Sequence, residues 1–405
     1  MDVDSARSFD LNAIGADFIE NPHPTLAALR EHDPLHANPD GSLYLTRMED
    51  VRFAYRHPAM LSDKTRAYRD KFGSGPLYTH HTTSLIFNDP PYHTVVRKLL
   101  AHAFTPRKLS EMEPLIGAIV DRLLDDIARE ETVDIVDRFA KRLPTEVISF
   151  MLGVPLEHRD RLRGYSLAIL GALDPSISRE RLAAGNEAVA EFGALLSDLI
   201  DHRRDNRDRA AQGEVLEALI FGEHDGRRLS QDELVQNCIF LLNAGHETTT
   251  SLVANAVGAF MANKAEHRRL VADPSLAGAA VEEVLRFESP LQIGNRLASR
   301  DIDMPSGGTV RAGTYIHTSI AAANRDPSEF GEPDRFDITR RPNRHIAFIT
   351  GIHVCLGATL ARYEGRIAFE KLFTRFPDME ATGEAVRMPL ARFRGWNRFD
   401  VALRG

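Results

Sequence analysis

The longest helical pattern in the chain runs from Gln231 to Ala262, where apolar residues recur at three- and four-residue spacing. At about 1.5 Å per residue, a helix over this range is roughly 48 Å long, which is more than the width of a small domain. Because so many of its residues are apolar, the helix is expected to cross the interior of the protein.

Other helical patterns fill the region from Pro91 to about Phe287, and strand patterns lie on both sides of it. Strand-like runs occur at 42–46 and within 296–320, where D-M-P-S-G-G predicts a turn. The sequence therefore predicts a mainly helical, α+β fold with small sheets. The other predicted helices are Pro24–His32, Glu49–Arg56, Tyr92–Ala103, Leu109–Arg129, Phe139–Met151 and Arg179–Arg204.

The composition is that of an ordinary globular protein, with 43% hydrophobic and 27% charged residues. The net charge of −8, from 58 acidic and 50 basic residues, gives no reason to expect nucleic acid as a partner. The two cysteines, Cys238 and Cys355, imply no disulfide framework. There is no signal-peptide pattern and no run of roughly 18 apolar residues, so a soluble, cytoplasmic protein without a membrane partner is expected.

The segment F-I-T-G-I-H-V-C-L-G, residues 348–357, places Cys355 directly before an alanine-rich helical pattern. A thiolate there would lie at a helix N-terminus, where free backbone N–H groups favour negative charge. Gly351 allows a tight loop before the sulfur, Gly357 lets a flat cofactor approach the backbone, and Phe348 can shield the sulfur from water. The alternative is a buried cysteine that only packs against its neighbours.

A second motif, L-L-N-A-G-H-E-T-T-T at 241–250, lies within the long helical pattern. Gly245 weakens a helix by roughly 1 kcal/mol relative to alanine. The Thr248 hydroxyl can bond the carbonyl of Ala244 and so bend the backbone. A helix opened in this way would set an acid, Glu247, beside an alcohol and give protons a route inward. The motif lacks the second histidine of a zinc helix, and the remaining alternative is a polar patch on a buried helix.

Together the two motifs resemble those of the cytochrome P-450 superfamily, the haem-thiolate monooxygenases, in its anchor-free bacterial form. The resemblance extends from about Asn21 to the end and implies a single domain, residues 1–405, with the triangular cytochrome P-450 fold. It also implies haem b between the long central helix and the cysteine loop, with Cys355 as the iron ligand. Ile349 departs from the family pattern, in which glycine is common at this position.

The resemblance also assigns roles on the long helix and in the region before the cysteine loop. Ala244 would contact the haem, Glu247 would relay protons, and Thr248 would assist cleavage of the O–O bond. Glu283 and Arg286 in V-E-E-V-L-R match the family's Glu-x-x-Arg pair, which stabilises the core and takes no part in the chemistry. On spacing alone this pair could equally be surface decoration.

Four cationic or imidazole side chains stand at positions where the family holds the two haem propionates, which need charged or hydrogen-bonding partners when buried. His93 and Arg97 share one helix face, so both can point at one propionate. Arg296 and His353 would hold the other side. Taken singly, each would more often be a surface cation or a core histidine.

The substrate pocket above the iron is predicted by analogy to be apolar, which suits a hydrophobic organic molecule. Side chains in such positions could also simply belong to the core. The predicted lining residues are Leu85, Ile86, Phe240, Ala244, Leu291, Gln292, Ile293 and Phe393.

The resemblance implies an oxidoreductase that inserts one atom of O2 into a small hydrophobic substrate. Electrons would come from NAD(P)H through a reductase and a ferredoxin or flavodoxin, because no fused flavin or iron–sulfur domain is recognisable. A peroxide-using peroxygenase, a non-catalytic haem sensor or carrier, and a haem-free scaffold are the alternatives. A basic cluster near the cysteine is predicted to dock an acidic ferredoxin, the alternative being solvated side chains with no partner: Arg107, Lys108, Arg341, Arg344, Arg362 and Arg366.

Overall fold

The computed structural model describes residues 6–102, 104–174, 177–206 and 215–404. Most of them lie in helices that surround the long helix predicted from the sequence. The α-helices are α1 (Ala16–Glu20), α2 (His23–His32), α3 (Met48–Arg56), α4 (Thr65–Phe72), α5 (Pro76–Thr83), α6 (Tyr92–Ala101), α7 (Pro106–Ser110), α8 (Glu113–Ile127), α9 (Arg142–Met151), α10 (Arg159–Gly171), α11 (Arg179–Asp205), α12 (Val215–Phe221), α13 (Gln231–Ala262), α14 (Lys264–Ala272), α15 (Ala277–Phe287), α16 (Ile320–Ala323) and α17 (Ala358–Arg375).

Short strands form three small sheets in the described part of the chain. The strands are β1 (Leu35–Ala37), β2 (Leu43–Leu45), β3 (Met60–Leu61), β4 (Thr132–Asp134), β5 (Ile293–Ala298), β6 (Ile302–Asp303), β7 (Thr309–Val310), β8 (Tyr315–Ser319), β9 (Glu380–Arg387) and β10 (Trp396–Ala402). The strand orders in the three sheets are β1-β2-β8-β5-β3, β4-β10-β9 and β6-β7. Among these described strand pairs, only β2 and β8 run parallel. The predicted mainly helical fold with small sheets is confirmed.

Helix α13 has the limits predicted from its sequence pattern. Ser230 and Glu233 form a capping box: each side chain accepts a hydrogen bond from the other residue's backbone N–H. Helices α9, α10, α11, α15 and α17 pack around α13, so it crosses the interior as expected. Among the described helices, α13 included, none has the length and apolar composition that a membrane span requires.

The helix predicted over Leu109–Arg129 is interrupted between α7 and α8. Pro114 accounts for the break, because a residue without an N–H and with a fixed φ fits the first turn of a helix but not its interior. A π-helical turn, Val136–Ala140, precedes α9, so the predicted helix start at Phe139 falls inside that turn.

Two elements bring the cysteine loop, residues 348–357, against the core. Helix α17 follows the loop and packs on both α13 and α15, while a short 3-10 turn inside the loop, Gly351–His353, contacts α3. The loop and α13 therefore face each other across a cavity.

Candidate active site

A cavity lies between α13 on one side and the cysteine loop with α17 on the other. Its volume is about 1230 Å³ when its open mouth is included, and most of its lining side chains are apolar. Cys355, Gly357 and Phe348 line it from the loop. Five of the eight side chains predicted for the substrate pocket also line this cavity: Leu85, Ile86, Phe240, Ala244 and Leu291.

The other three predicted pocket residues, Gln292, Ile293 and Phe393, line a separate narrow cleft. Gln292 is held back by a bond from its Nε2 to the carbonyl oxygen of Ser289 at 2.5 Å. Ile293 belongs to the hydrophobic cluster around α2. The closeness of Gln292 and Ile293 to Leu291 in the sequence therefore does not place their side chains in the same cavity.

The cysteine loop is closed by its own backbone. The N–H of Cys355 donates to the carbonyl oxygen of Phe348 at 3.0 Å. Gly351 has a φ of +78°, and a Cβ there would collide with the carbonyl oxygen of Tyr55. Glycine is required at this position for both reasons, as predicted. Gly357 has no protein atom within 4 Å of the place its Cβ would occupy, which leaves room for a flat ring.

Cys355 is exposed to the cavity that it lines. Burial raises the pKa of the thiol, and the N–H of Gly357 with the positive charges of Arg97 and Arg362 only partly opposes this. The protein groups around the sulfur therefore favour the thiolate without fully offsetting the effect of burial. A coordinated metal cation would produce the thiolate, since it deprotonates the thiol that binds it.

Ile349 adopts a φ of +51°, in the left-handed region that a β-branched residue rarely enters. This conformation costs about 1–2 kcal/mol for a residue with a Cβ. The strain lies at the position where the sequence departs from the family pattern, and the side chain lines the cavity.

The four side chains predicted to hold carboxylates come together in one group. Arg97 and His353 line the cavity, and the His93 ring lies 4.2 Å from that of His353. Burial lowers the pKa of His93 to about 4, with a further contribution from His353. Arg296 is buried, with its guanidinium 4.6 Å from the ring centre of Tyr55.

This group fits a flat cofactor that carries carboxylates. The Nε2 atoms of His93 and His353 and one Nη atom of Arg296 are buried without a hydrogen-bond partner, and such donors are rarely left unpaired in folded proteins. The room at Gly357, the open sulfur of Cys355 and these unpaired donors all suit haem, with the sulfur as its iron ligand.

The cavity face of α13 carries Ala244, Gly245 and Thr248. The Thr248 hydroxyl donates to the carbonyl oxygen of Ala244 at 2.5 Å, as predicted. The helix nevertheless continues without interruption through these residues, so the predicted local opening is not seen.

Glu247 belongs to a different face of the same helix and does not line the cavity. Glu247 is fully buried beside His246, whose Nδ1 lies 3.4 Å from Oε2 of Glu247. Neither carboxylate oxygen of Glu247 has a hydrogen-bond partner. Asn243 and Thr250 add further unpaired buried polar atoms to that face. Buried groups of this kind are normally satisfied by ordered water.

Glu364 is a cavity residue that the sequence analysis missed. Burial raises the pKa of this carboxyl group to about 8. The sequence did contain a signal for this residue, namely an acidic side chain at an apolar position of the helical pattern. Glu364 falls on the same helical face as Leu360 and Ala368, where an apolar residue is expected.

Glu283 and Arg286 form a fully buried bidentate pair, with both N···O distances at 2.8 Å. Arg286 also donates to three backbone carbonyls, and Glu283 accepts from Asn343 at 3.1 Å. The pair joins α15 to the irregular segment before the cysteine loop and does not line the cavity.

Comparisons with known proteins agree with this geometry. The family model for Cytochrome P450 matches residues 35–393. The chain is 40% identical to the vitamin D(3) 25-hydroxylase of Pseudonocardia autotrophica over 394 residues, 95% of this chain and 94% of that protein. The crystal structure of P450BioI in complex with an acyl carrier protein ligated to hexadec-9Z-enoic acid superimposes with a TM-score of 0.89 at 32% identity, covering 96% of this chain and all of that one.

A third similar protein is CYP109E1 from Bacillus megaterium, crystallised with testosterone, with a TM-score of 0.83 and 29% identity over 95% of this chain and all of that one. The family match spans most of the chain, and the cysteine, the facing helix and the side chains predicted to hold the propionates lie at or near the cavity. The chain belongs to the cytochrome P450 family and is a haem-thiolate monooxygenase of the bacterial type.

Proposed function

We propose that this enzyme hydroxylates a neutral, hydrophobic molecule of roughly sterol size, with electrons from NAD(P)H delivered by a reductase and a ferredoxin or flavodoxin. The observation that carries the substrate class is the apolar wall formed by Leu85, Ile86, Phe240 and Leu291. Similar proteins named as a vitamin D(3) hydroxylase or crystallised with testosterone support it. No observation favours a sensor or a peroxygenase.

The residues of this chain would divide the work between the two sides of the cavity. Haem would supply the activation of O2 when bound, favoured by electron donation from a cysteine thiolate. Cys355 would hold the iron, and Arg97, His93, Arg296 and His353 would hold the propionates. The apolar walls would exclude water and orient the substrate.

Thr248 would present its hydroxyl oxygen at the cavity, where it can accept a hydrogen bond while its own proton is donated to Ala244, and Glu247 would supply protons from the buried polar face behind it. Because Glu247 does not line the cavity, its proton must pass along ordered water or through a side-chain rotation to reach Thr248. This arrangement separates the proton source from the apolar substrate.

The substrate class is tested by titrating the protein with a neutral sterol and with the same sterol carrying a carboxylate, and by following the absorption spectrum of the haem. We expect the neutral compound to bind at least about tenfold more tightly, because the apolar walls offer no partner to a buried charge. Equal binding of the anionic compound would contradict the proposed substrate class.

Thr248→Ala is expected to keep consuming NAD(P)H while the product formed per NAD(P)H falls by at least about tenfold and peroxide rises. The reason is the loss of the hydroxyl oxygen that lines the cavity and can accept a hydrogen bond there while its proton is donated to Ala244. Ser251→Ala is the matched control, because its hydroxyl lies on α13 but contacts the sulfur of Met388. Unchanged coupling in Thr248→Ala would remove the proton-delivery role from Thr248.

Electron entry from the cysteine side remains part of the proposal, but the predicted basic cluster is partly neutralised. Arg362 donates to Glu282 at 2.7 Å, and Arg366 pairs with Glu113. Arg107 also pairs with Glu111, at 3.3 Å, but 90% of its side chain is exposed, so it is the more accessible cation for an acidic electron carrier.

A further inference from the structure

Lys64 is a buried lysine for which the proposed mechanism has no use. It is 2% exposed, and its ammonium donates to the carbonyl oxygen of Ser62 and lies 5.6 Å from the ring centre of Tyr68. None of the described carboxylates forms an ion pair with it. Lysine is almost never fully buried without a charged partner, so this position calls for a negative group.

The backbone places Lys64 beside Arg296. Strands β3 and β5 pair antiparallel, with Leu61 opposite Leu297. Ser62 and Arg296 are the next residues along the two strands, so they lie together at the end of this ladder. Lys64 follows two residues later, at the N-terminus of α4.

Asp89 connects the same turn to the cysteine loop. Its carboxylate accepts the N–H groups of Ser62 at 3.1 Å and Asp63 at 2.8 Å. On its other side, an Asp89 carboxylate oxygen lies 3.9 Å from Nε2 of His353. Lys64 is therefore tied, through one side chain, to the group that was assigned to the haem propionates.

The charges in this region do not balance. Lys64 when protonated, Arg97 and Arg296 are three cations, and Asp89 and the half-buried Asp63 are the carboxylates that act on Lys64. One positive charge remains, which a further carboxylate would neutralise. Burial and the positive charge of Arg296 lower the pKa of Lys64 well below its ordinary value, as expected of a lysine that lacks its anion.

We propose that Lys64 binds a haem propionate, as an additional carboxylate ligand supplied by the segment between β3 and α4. The inference rests on haem being the cofactor. It also couples the cofactor to the substrate wall, because Tyr68 of α4 contacts Phe87 with ring centres 5.8 Å apart, next to Leu85 and Ile86. Haem binding would thus fix α4 as well as the cysteine loop.

The test compares Lys64→Met and Lys64→Arg with a matched control, Lys71→Met. Lys71 is also on α4, but its ammonium donates to the carbonyl oxygen of Asp174 at 2.7 Å. Two properties of the holoproteins are measured: the propionate-bending band in the resonance Raman spectrum, and the rate at which haem transfers to excess apomyoglobin. The Raman band responds to hydrogen bonding at the propionates and not to general loosening of the fold.

We expect Lys64→Met to shift the propionate band and to release haem about ten- to a hundredfold faster, as the loss of one charge-assisted hydrogen bond predicts. Lys71→Met should leave the band in place and should release haem at the wild-type rate. The proposal is overturned if the band does not move in Lys64→Met, or if Lys71→Met releases haem equally fast.

If Lys64→Met does not accumulate with haem, Lys64→Arg decides the question. A guanidinium bonds a carboxylate differently from an ammonium, so the band must shift if residue 64 contacts a propionate and must stay if it does not. A wild-type protein that binds no haem would instead contradict the cofactor assignment itself, which keeps the two failures distinct.

Discussion

Cys355→Ser is expected to abolish product formation, the largest functional effect of any single substitution in this protein. The serine hydroxyl cannot supply the thiolate that favours O–O cleavage, even where the loop still closes around the haem. Product formation with NAD(P)H and saturating electron carrier should fall to the background of haem-free protein. The measurement is product per enzyme, with haem content determined in parallel.

Cys238→Ser is the matched control, because Cys238 is the other cysteine in the sequence. It is buried within α13, where burial raises its pKa to about 12, and it does not line the cavity. Its replacement should leave product formation unchanged. The assignment would be wrong if Cys238→Ser lost activity and Cys355→Ser kept it.

Glu283→Ala is expected to have the largest effect on stability, about 3–5 kcal/mol of the free energy of unfolding, because it leaves the Arg286 guanidinium buried and uncompensated. Three further donors, Asn343, the N–H of Asp337 and Nε of Arg340, lose their acceptor at the same time. Urea denaturation of the holoprotein, followed by circular dichroism, measures the change.

Glu111→Ala serves as the comparison, because Glu111 forms a helical ion pair with Arg107 at 3.3 Å on the surface. Exposed pairs contribute about 0–1 kcal/mol. If the two variants were destabilised equally, the buried Glu283–Arg286 pair would contribute no more to the free energy of unfolding than an exposed ion pair, and the prediction would be wrong.

The features that sequence could predict are those with a local physical cause. Helix α13 has a long apolar period and a capping box at Ser230, so its limits follow from the residues alone. The cysteine loop needs Gly351 because the backbone turns left-handed there and approaches Tyr55 closely. The limits of the helix and the turn of the loop each depend on a few residues that are adjacent in the sequence.

Other features depended on contacts between distant segments. Helices α4 and α5 were not predicted, because T-R-A-Y-R-D-K-F and P-L-Y-T-H-H-T-T have few apolar residues and no clear period. Strand β9 was missed for a similar reason, since its residues are almost all exposed and do not alternate. Packing against other parts of the protein determines the secondary structure of such segments.

The residues of the candidate site also fall into those whose placement follows from the local sequence and those whose placement depends on contacts between distant segments. Cys355, Thr248 and Ala244 lie on the cavity as their motifs indicated. Glu247 does not, although helix geometry turns each successive side chain by about 100° and so could have warned of it. Lys64 had no local signal, because only the pairing of β3 with β5 and the bonds of Asp89 bring it near Arg296.

The absorption spectrum of the reduced wild-type protein under carbon monoxide tests the central claim most directly, because the position of the Soret band depends on the axial ligand of the haem. Ligation by the Cys355 thiolate predicts the strongly red-shifted band that is characteristic of the cytochrome P450 family. A Soret band without this red shift in freshly prepared, correctly folded protein would contradict thiolate ligation and the monooxygenase mechanism that depends on it.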